Sequence, residues 1–458
     1  MKSRSSERVA VVRLARLFLP ALLTIPTGQG AGPAGPDGKE LIRHPGIVRE
    51  DGQALAEGWL VWEAEWETAR LKGEATPAGW RFGSPDRPFA AGGLQQTIDG
   101  IHGGRAYAVT ARCRIAGVAE PLSSVMVRVE WMTDAGPLHP AGILVNGPRL
   151  QDGEGRFSEI LVAPADATRL RLSLETRWLH EGTVVWRAAS VRPAEAPAPR
   201  RVKVGAVYLR PFNSTPERNL ELWCEQVDAA GRLGLDIVCL SEAILSVGTP
   251  ATTSAVAEPV PGPTVRRLGE AARRNRLWIV AGVMERDGPT LYNTAVLLNR
   301  DGELAGRYRK VHLPREEWRK GITPGDDYPV FQTDFGVVGI QICYDYFFPE
   351  TTRILAGRGA EIVLAPTWGT TFADADGRVE GRTVCRTRAR DNGVYLVTSV
   401  YDGDSLVIDP LGRVLATSGG ATGVFHATID LAERQPLWWV GEWRSLQPRH
   451  RRPGTYPP

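Results

Sequence analysis

Three side chains carry the chemistry this sequence offers: Glu242, Lys310 and Cys343. Each stands where a short run of branched, apolar residues gives out. Leu235-Asp236-Ile237-Val238-Cys239-Leu240-Ser241 leads to Glu242, and Gly339-Ile340-Gln341-Ile342 leads to Cys343. Lys310 closes the run from Leu304, which follows the turn Asn299-Arg300-Asp301-Gly302, whose Asp-Gly pair suits a hairpin with the run Asn293 to Leu298. Such runs read as buried strands, and open α/β sheets gather what lies beyond their strand ends into one crevice. A cysteine attacks as thiolate but is mostly protonated at neutral pH, so it needs a base or a cation close by. Glu242 can take the proton, and the reading expects an ionised sulfur. Attack on a carbonyl or nitrile carbon develops negative charge, which the Lys310 ammonium and the backbone N–H of Tyr344 can hold.

The stretch from about residue 200 to residue 450 resembles the nitrilase superfamily of carbon–nitrogen hydrolases, whose members use a Glu, a Lys and a Cys in this chain order. Tyr308-Arg309-Lys310-Val311-His312-Leu313 resembles the family's lysine motif, and Ile342-Cys343-Tyr344-Asp345 through Phe348-Pro349-Glu350 its cysteine motif. The resemblance implies a second glutamate near the substrate, positioning its nitrogen or the hydrolytic water. Glu316 and Glu317 are both candidates, and matching backwards from Pro324-Gly325 favours Glu317. Arg388-Ala389-Arg390-Asp391-Asn392-Gly393 resembles the family's Arg-Ala-Glu-Asn-Gly helix end, with Asp391 in place of the usual glutamate at a structural position, and Ser405 to Leu415 looks like a closing hairpin.

That resemblance implies an α/β fold, a four-layer α-β-β-α sandwich usually assembled through dimers, and hydrolysis of a non-peptide carbon–nitrogen bond by way of a thioester. Nitrilases proper commonly carry Cys-Trp-Glu where this chain has Cys343-Tyr344-Asp345, so a small-molecule amide is the favoured substrate. A nitrile hydrolase or an N-acyltransferase on the same fold is the alternative. A reading of a different class is a secreted carbohydrate-binding protein whose hydrolase half is an inactive scaffold. Tyr208, Trp318, Tyr346, Trp368 and Phe372 are the candidates for lining a substrate pocket. The other cysteines, Cys113, Cys224, Cys239 and Cys385, show no metal-ligand spacing, and no dinucleotide or phosphate-loop fingerprint occurs, so the sequence asks for neither metal nor cofactor.

The chain has 458 residues, long enough for more than one core. Its 55 Lys and Arg against 52 acidic residues imply no nucleic-acid groove. Residues 1–40 read as a signal peptide or a disordered leader: Lys2, Arg4 and Arg8 precede an apolar run, Leu17 to Ile25, too short for a stable membrane span. Secretion or a periplasmic home follows from the first reading, a cytoplasmic one from the second. Residues 45–192 alternate apolar and polar positions, as in Val125 to Trp131 and Leu170 to Leu174, and read as an all-β jelly-roll sandwich resembling carbohydrate-binding or galactose-binding-like domains. Seven of its tryptophans raise the prospect of glycan contact, although Trp131 and Trp186 lie on core-facing patterns. Cys113 reads as buried and inert. Residues 193–200 form a proline-rich linker, 201–435 the catalytic domain, and 436–458 an aromatic tail expected at a contact with a second copy in a homodimer or larger homo-oligomer.

Overall fold

The computed structural model describes residues 38–83, 88–370, 381–434, 436–437 and 439–456. Most of the leader, 1–37, and the pocket candidate Phe372 lie outside the described residues.

The first half is built from two six-stranded antiparallel sheets that share one apolar core. Alternation does the sorting: in the strand Arg169–Arg177 every second residue, Leu170, Leu172, Leu174 and Thr176, is buried, and its neighbours are half-exposed. Trp131 and Trp186 are core residues, 5% and 0% exposed. Trp186 belongs to one sheet and Thr176 to the other, and the indole N–H donates to the threonine hydroxyl at 3.0 Å across the interior. Cys113 is fully buried, and loss of hydration pushes its thiol up to about 12.

Two boundaries differ from expectation. The last strand, Thr183–Ala194, runs through Pro193, which pairs with Tyr107, so the sandwich extends past 192 and the linker shrinks accordingly. Proline fits because the strand on the other flank, Gly79–Gly83, pairs only as far as Trp186, leaving no neighbour there that needs its missing N–H. At the other end Glu40, placed within the leader, accepts from Ser190 Oγ, Val191 N and Arg192 Nε and is part of the sandwich.

The second half has four layers. One six-stranded sheet runs in the order Leu304–Arg309, Thr290–Leu298, Trp278–Asp287, Ile237–Cys239, Arg201–Tyr208, Gly423–Asp430. The other runs Val330–Gln332, Val337–Ile340, Ile362–Pro366, Tyr395–Ser399, Leu406–Ile408, Val414–Thr417. In each, three central strands are parallel and the outer ones antiparallel. The sheets face each other through Val204, Ala206, Val280, Ile340, Leu364 and Val397. Helices Pro216–Arg232 and Pro263–Asn275 cover the first sheet, and Pro349–Gly357 and Gly381–Asn392 the second. Local signals agree: Thr215 caps the first helix by accepting from Arg218 N, Pro216 opens it, and Gly234 at φ +67° ends it.

The described part of the tail packs on its own chain. From the helix Trp443–His450, the Trp443 indole donates to Arg390 O at the end of Gly381–Asn392, while Arg449 donates to Val145 O and Gly147 O of the sandwich. Val440 rests on Met126 and Leu144. The sandwich thus offers an apolar patch that Val440 of the tail covers, while Trp439 stays exposed.

Replacing Thr176 by valine keeps the shape but strands the Trp186 N–H in an apolar interior. Chemical unfolding of the full chain should show a loss of about 1–3 kcal/mol, carried by the transition of the sandwich.

Candidate active site

Glu242, Lys310 and Cys343 are brought together where the facing sheets run out. Beyond Ile237–Cys239 the chain is held by Leu240 N on Val280 O and by the Ser241 hydroxyl, 2.9 Å from that of Ser399 in the opposite sheet. Glu242 follows, 3% exposed, its own carbonyl accepting the Tyr401 hydroxyl. The neighbouring strand must pass very close: a Cβ on Gly282 would come within 2.6 Å of Glu242 Cα and 2.8 Å of Ser241 O, so only glycine fits.

Lys310 leaves the end of Leu304–Arg309 and is fully buried. Its Nζ donates to Glu242 Oε1 at 2.8 Å and to Glu317 Oε1 at 2.5 Å. Burial alone would strip its proton, but Glu242, Cys343 and Glu317 outweigh that and drive the ammonium well above the usual lysine range. Lys310 is therefore a fixed cation and cannot serve as a base.

Of the two adjacent glutamates on the short helix Arg315–Arg319, Glu317 is the one that turns inward, and Glu316 is exposed. Burial, with the charge of Glu242 beside it, pushes Glu317 up to about 7 against the pull of Lys310. Its proton therefore exchanges near neutrality.

Cys343 opens the turn Cys343–Phe347 with φ +44°, a conformation a non-glycine residue adopts only when its surroundings impose it. Asp345 supplies much of that constraint. Its buried carboxylate accepts from Ile342 N, His312 N and the Tyr308 hydroxyl at 2.9, 3.0 and 2.7 Å, and sits 2.9 Å from His312 Nδ1. One carboxylate thereby ties the lysine segment to the cysteine turn. Arg388 adds a second tie, donating to Tyr346 O and Phe347 O.

The sulfur departs from expectation. Burial, reinforced by the Glu242 charge, drives the Cys343 thiol far above the usual cysteine value, and Lys310 and the Trp368 backbone N–H only partly offset the rise. The resting nucleophile is a neutral thiol beside a carboxylate, because the same carboxylate that can accept its proton disfavours a second negative charge. Tyr344, whose ring packs on Phe347 and Phe348, places its amide among the leading N–H groups of the turn, which have no partner within the helix.

The remaining pocket candidates separate. Tyr346 is 1% exposed, donates its hydroxyl to Gly369 O, and packs on Cys385, Ala389 and Leu396; it braces the turn from the core side and does not line an open pocket. Trp368, 51% exposed, lies edge-on to Tyr401 at 5.5 Å and stands at the site. Trp318 is 55% exposed, and Tyr208 is half-buried where its strand bridges to Val400.

Sequence reasoning missed Asn293. Its Nδ2 donates to Glu242 Oε1 at 2.7 Å and reaches Glu317 Oε2 at 3.3 Å. The available signal was two polar residues, Asn293 and Thr294, opening the fully buried run that completes the strand Thr290–Leu298. Tyr401, on a loop distant in sequence, gave none.

The carbon–nitrogen hydrolase family profile matches residues 203–437, more than half of the chain. The chain is 32% identical over 238 residues to the omega-amidase NIT2 of Mus musculus, covering 48% of this chain and 85% of that protein. It is 30% identical over 236 residues to nitrilase homolog 2 of Dictyostelium discoideum, covering 47% and 71%. Among solved structures, Nit3 of Saccharomyces cerevisiae, a member of branch 10 of the nitrilase superfamily, aligns at TM-score 0.45 and 27% identity over 50% of this chain and 90% of that one.

Lys310→Met would leave Glu242 and Glu317 buried with no cation. Unfolding measured in urea should show a loss of about 3–5 kcal/mol at pH 8. The loss should shrink toward pH 5, because Glu317, already pushed up to about 7, can then shed its charge by protonation.

Proposed function

The chain belongs to the carbon–nitrogen hydrolase family, and we propose that within it this protein is an amidase that hydrolyses the terminal amide of a small molecule through Cys343. The observation that carries this reading is the single ammonium of Lys310 held between Glu242 and Glu317, with the Cys343 thiol lodged against Glu242. The similarity to omega-amidases supports the choice of an amide over a nitrile.

In this scheme Cys343 Sγ attacks the amide carbonyl as Glu242 takes its proton. A neutral thiol makes the two events one step, the single negative charge passing from Glu242 to the developing oxyanion as the proton leaves the sulfur. The oxyanion of the tetrahedral adduct is met by Lys310 Nζ and the Tyr344 N–H. The proton returns to the departing nitrogen, the carbon–nitrogen bond breaks, and ammonia leaves a thioester. Glu317, poised to exchange a proton near neutrality, faces the nitrogen or the incoming water. Glu242 then activates water, which attacks the thioester and releases the carboxylic acid with the thiol restored.

Buried ion clusters are often replaceable by apolar residues at no loss of stability, so two buried carboxylates around a buried ammonium favour an active site over an inactive scaffold. For the sandwich, Trp62 and Trp66, 39% and 72% exposed on and beside its edge strand, are the surfaces on which a glycan would stack.

An ammonia-release screen over primary amides, ureas, carbamoyl compounds and nitriles should find turnover among the amides, and Cys343→Ala should abolish it with the fold intact. Release from nitriles alone, or turnover that survives in Cys343→Ala, overturns the proposal. Glu242→Gln should lower kcat by at least about a hundredfold, the scale of a lost general base.

A further inference from the structure

One polar side chain in the site has no task in that scheme. Asn293, on the strand Thr290–Leu298, is 3% exposed, and its backbone carbonyl accepts from Lys310 N at 2.8 Å. Its Nδ2 stands 2.7 Å from Glu242 Oε1, and 3.4 and 3.3 Å from the two Glu317 oxygens. Chemistry fixes the orientation of the amide, because only the NH2 end can face two carboxylates. Oδ1 is consequently turned elsewhere; it is buried and takes no hydrogen bond from a described residue. An orphaned buried acceptor works against folding, so packing alone does not account for asparagine at this position.

We propose that Asn293 is a positioning residue that decides which of the two carboxylates keeps its negative charge: its short hydrogen bond holds the charge on Glu242, the acceptor of the thiol proton, and leaves Glu317 as the group that carries a proton. The inference rests on the amidase reading above and adds a residue to it.

The other charged and titratable groups facing this pair act on it differently. Lys310 donates to both carboxylates, at 2.8 and 2.5 Å, and its shorter contact is to Glu317. The Cys343 thiol and Tyr346 lie on the cysteine side, near Glu242. The Tyr401 hydroxyl is spent on the Glu242 backbone carbonyl. Asn293 gives the carboxylates unequal hydrogen bonds in favour of Glu242, against the unequal contacts of Lys310, which favour Glu317. Paired carboxylates in one site share their protons, and unequal environments push the two apart.

Removing the donor leaves the negative charge of Glu242 less stabilised, so the acid limb of the rate profile must move to higher pH. The test uses the full chain with Asn293→Ala and the near-isosteric Asn293→Leu, checked for wild-type circular dichroism. Two profiles are recorded between pH 5 and pH 9: kcat/KM for ammonia release from the best primary amide, and the rate of Cys343 alkylation by iodoacetamide. The acid limb should move to higher pH in both profiles, a loss that is greatest at pH 5 and narrows toward pH 8. An unchanged profile, or a loss equal at every pH, overturns the proposal. Alkylation needs no substrate, so it reports on Asn293 even if the amide screen fails. Wild-type turnover abolished by Cys343→Ala establishes the amidase reading independently, so a flat result then counts against Asn293 alone.

Discussion

A fully buried ammonium shared by two carboxylates is the interaction on which the rest of this structure depends. Lys310 is withdrawn from water, and a lone charge there would be lost by deprotonation or would oppose folding by several kcal/mol. Glu242 and Glu317 keep it charged, and it in turn keeps at least one of them charged. The three arrive from different elements: a strand end of the parallel core, a hairpin end at the sheet edge, and a short helix. None of them can shift alone, so the ends of those elements are locked in register by electrostatics as well as by packing.

The surrounding architecture reads as the set of conditions that lets this cluster exist. Gly282 admits the backbone of Glu242 against the neighbouring strand. Ser241 and Ser399 join the two sheets at the same level, and Tyr401 pins the Glu242 carbonyl. Asp345 stitches the residues on either side of Lys310 to the turn that presents Cys343, which makes the separation of ammonium and sulfur a property of one buried carboxylate. The tail reaches the same region indirectly. It grips the end of the helix Gly381–Asn392, whose Arg388 holds the carbonyls of the cysteine turn, and its other face rests on the sandwich.

Much of this was legible in the sequence, for a definable reason. Strand ends and hairpins are local events, so Glu242, Lys310 and Cys343 were visible as reactive residues closing apolar runs; the four layers followed from the family resemblance, and alternation marked the strands of the sandwich before them. What escaped was set by tertiary contact. Asn293 reads as a strand residue until two carboxylates from elsewhere are laid against its amide. Tyr346 reads as a pocket aromatic, yet the turn directs it inward against Cys385 and Leu396. Pro193 reads as a break, yet it falls on the one stretch of its strand where no neighbour requires the missing N–H. The charge state of the sulfur is the clearest instance: spacing shows which groups meet, while burial decides who holds the proton.

That last point bears on how the protein withstands its surroundings. Peroxides and alkylating agents react with cysteine chiefly as the anion, and low-pKa exposed thiols are the ones that progress to sulfenic and sulfinic acids. A sulfur that carries its hydrogen at rest and surrenders it only when a carbonyl is already in contact is sheltered from such damage by its own protonation. Protonation at rest disfavours reaction of this sulfur with adventitious oxidants, while the four other free cysteines, all buried, are out of their reach.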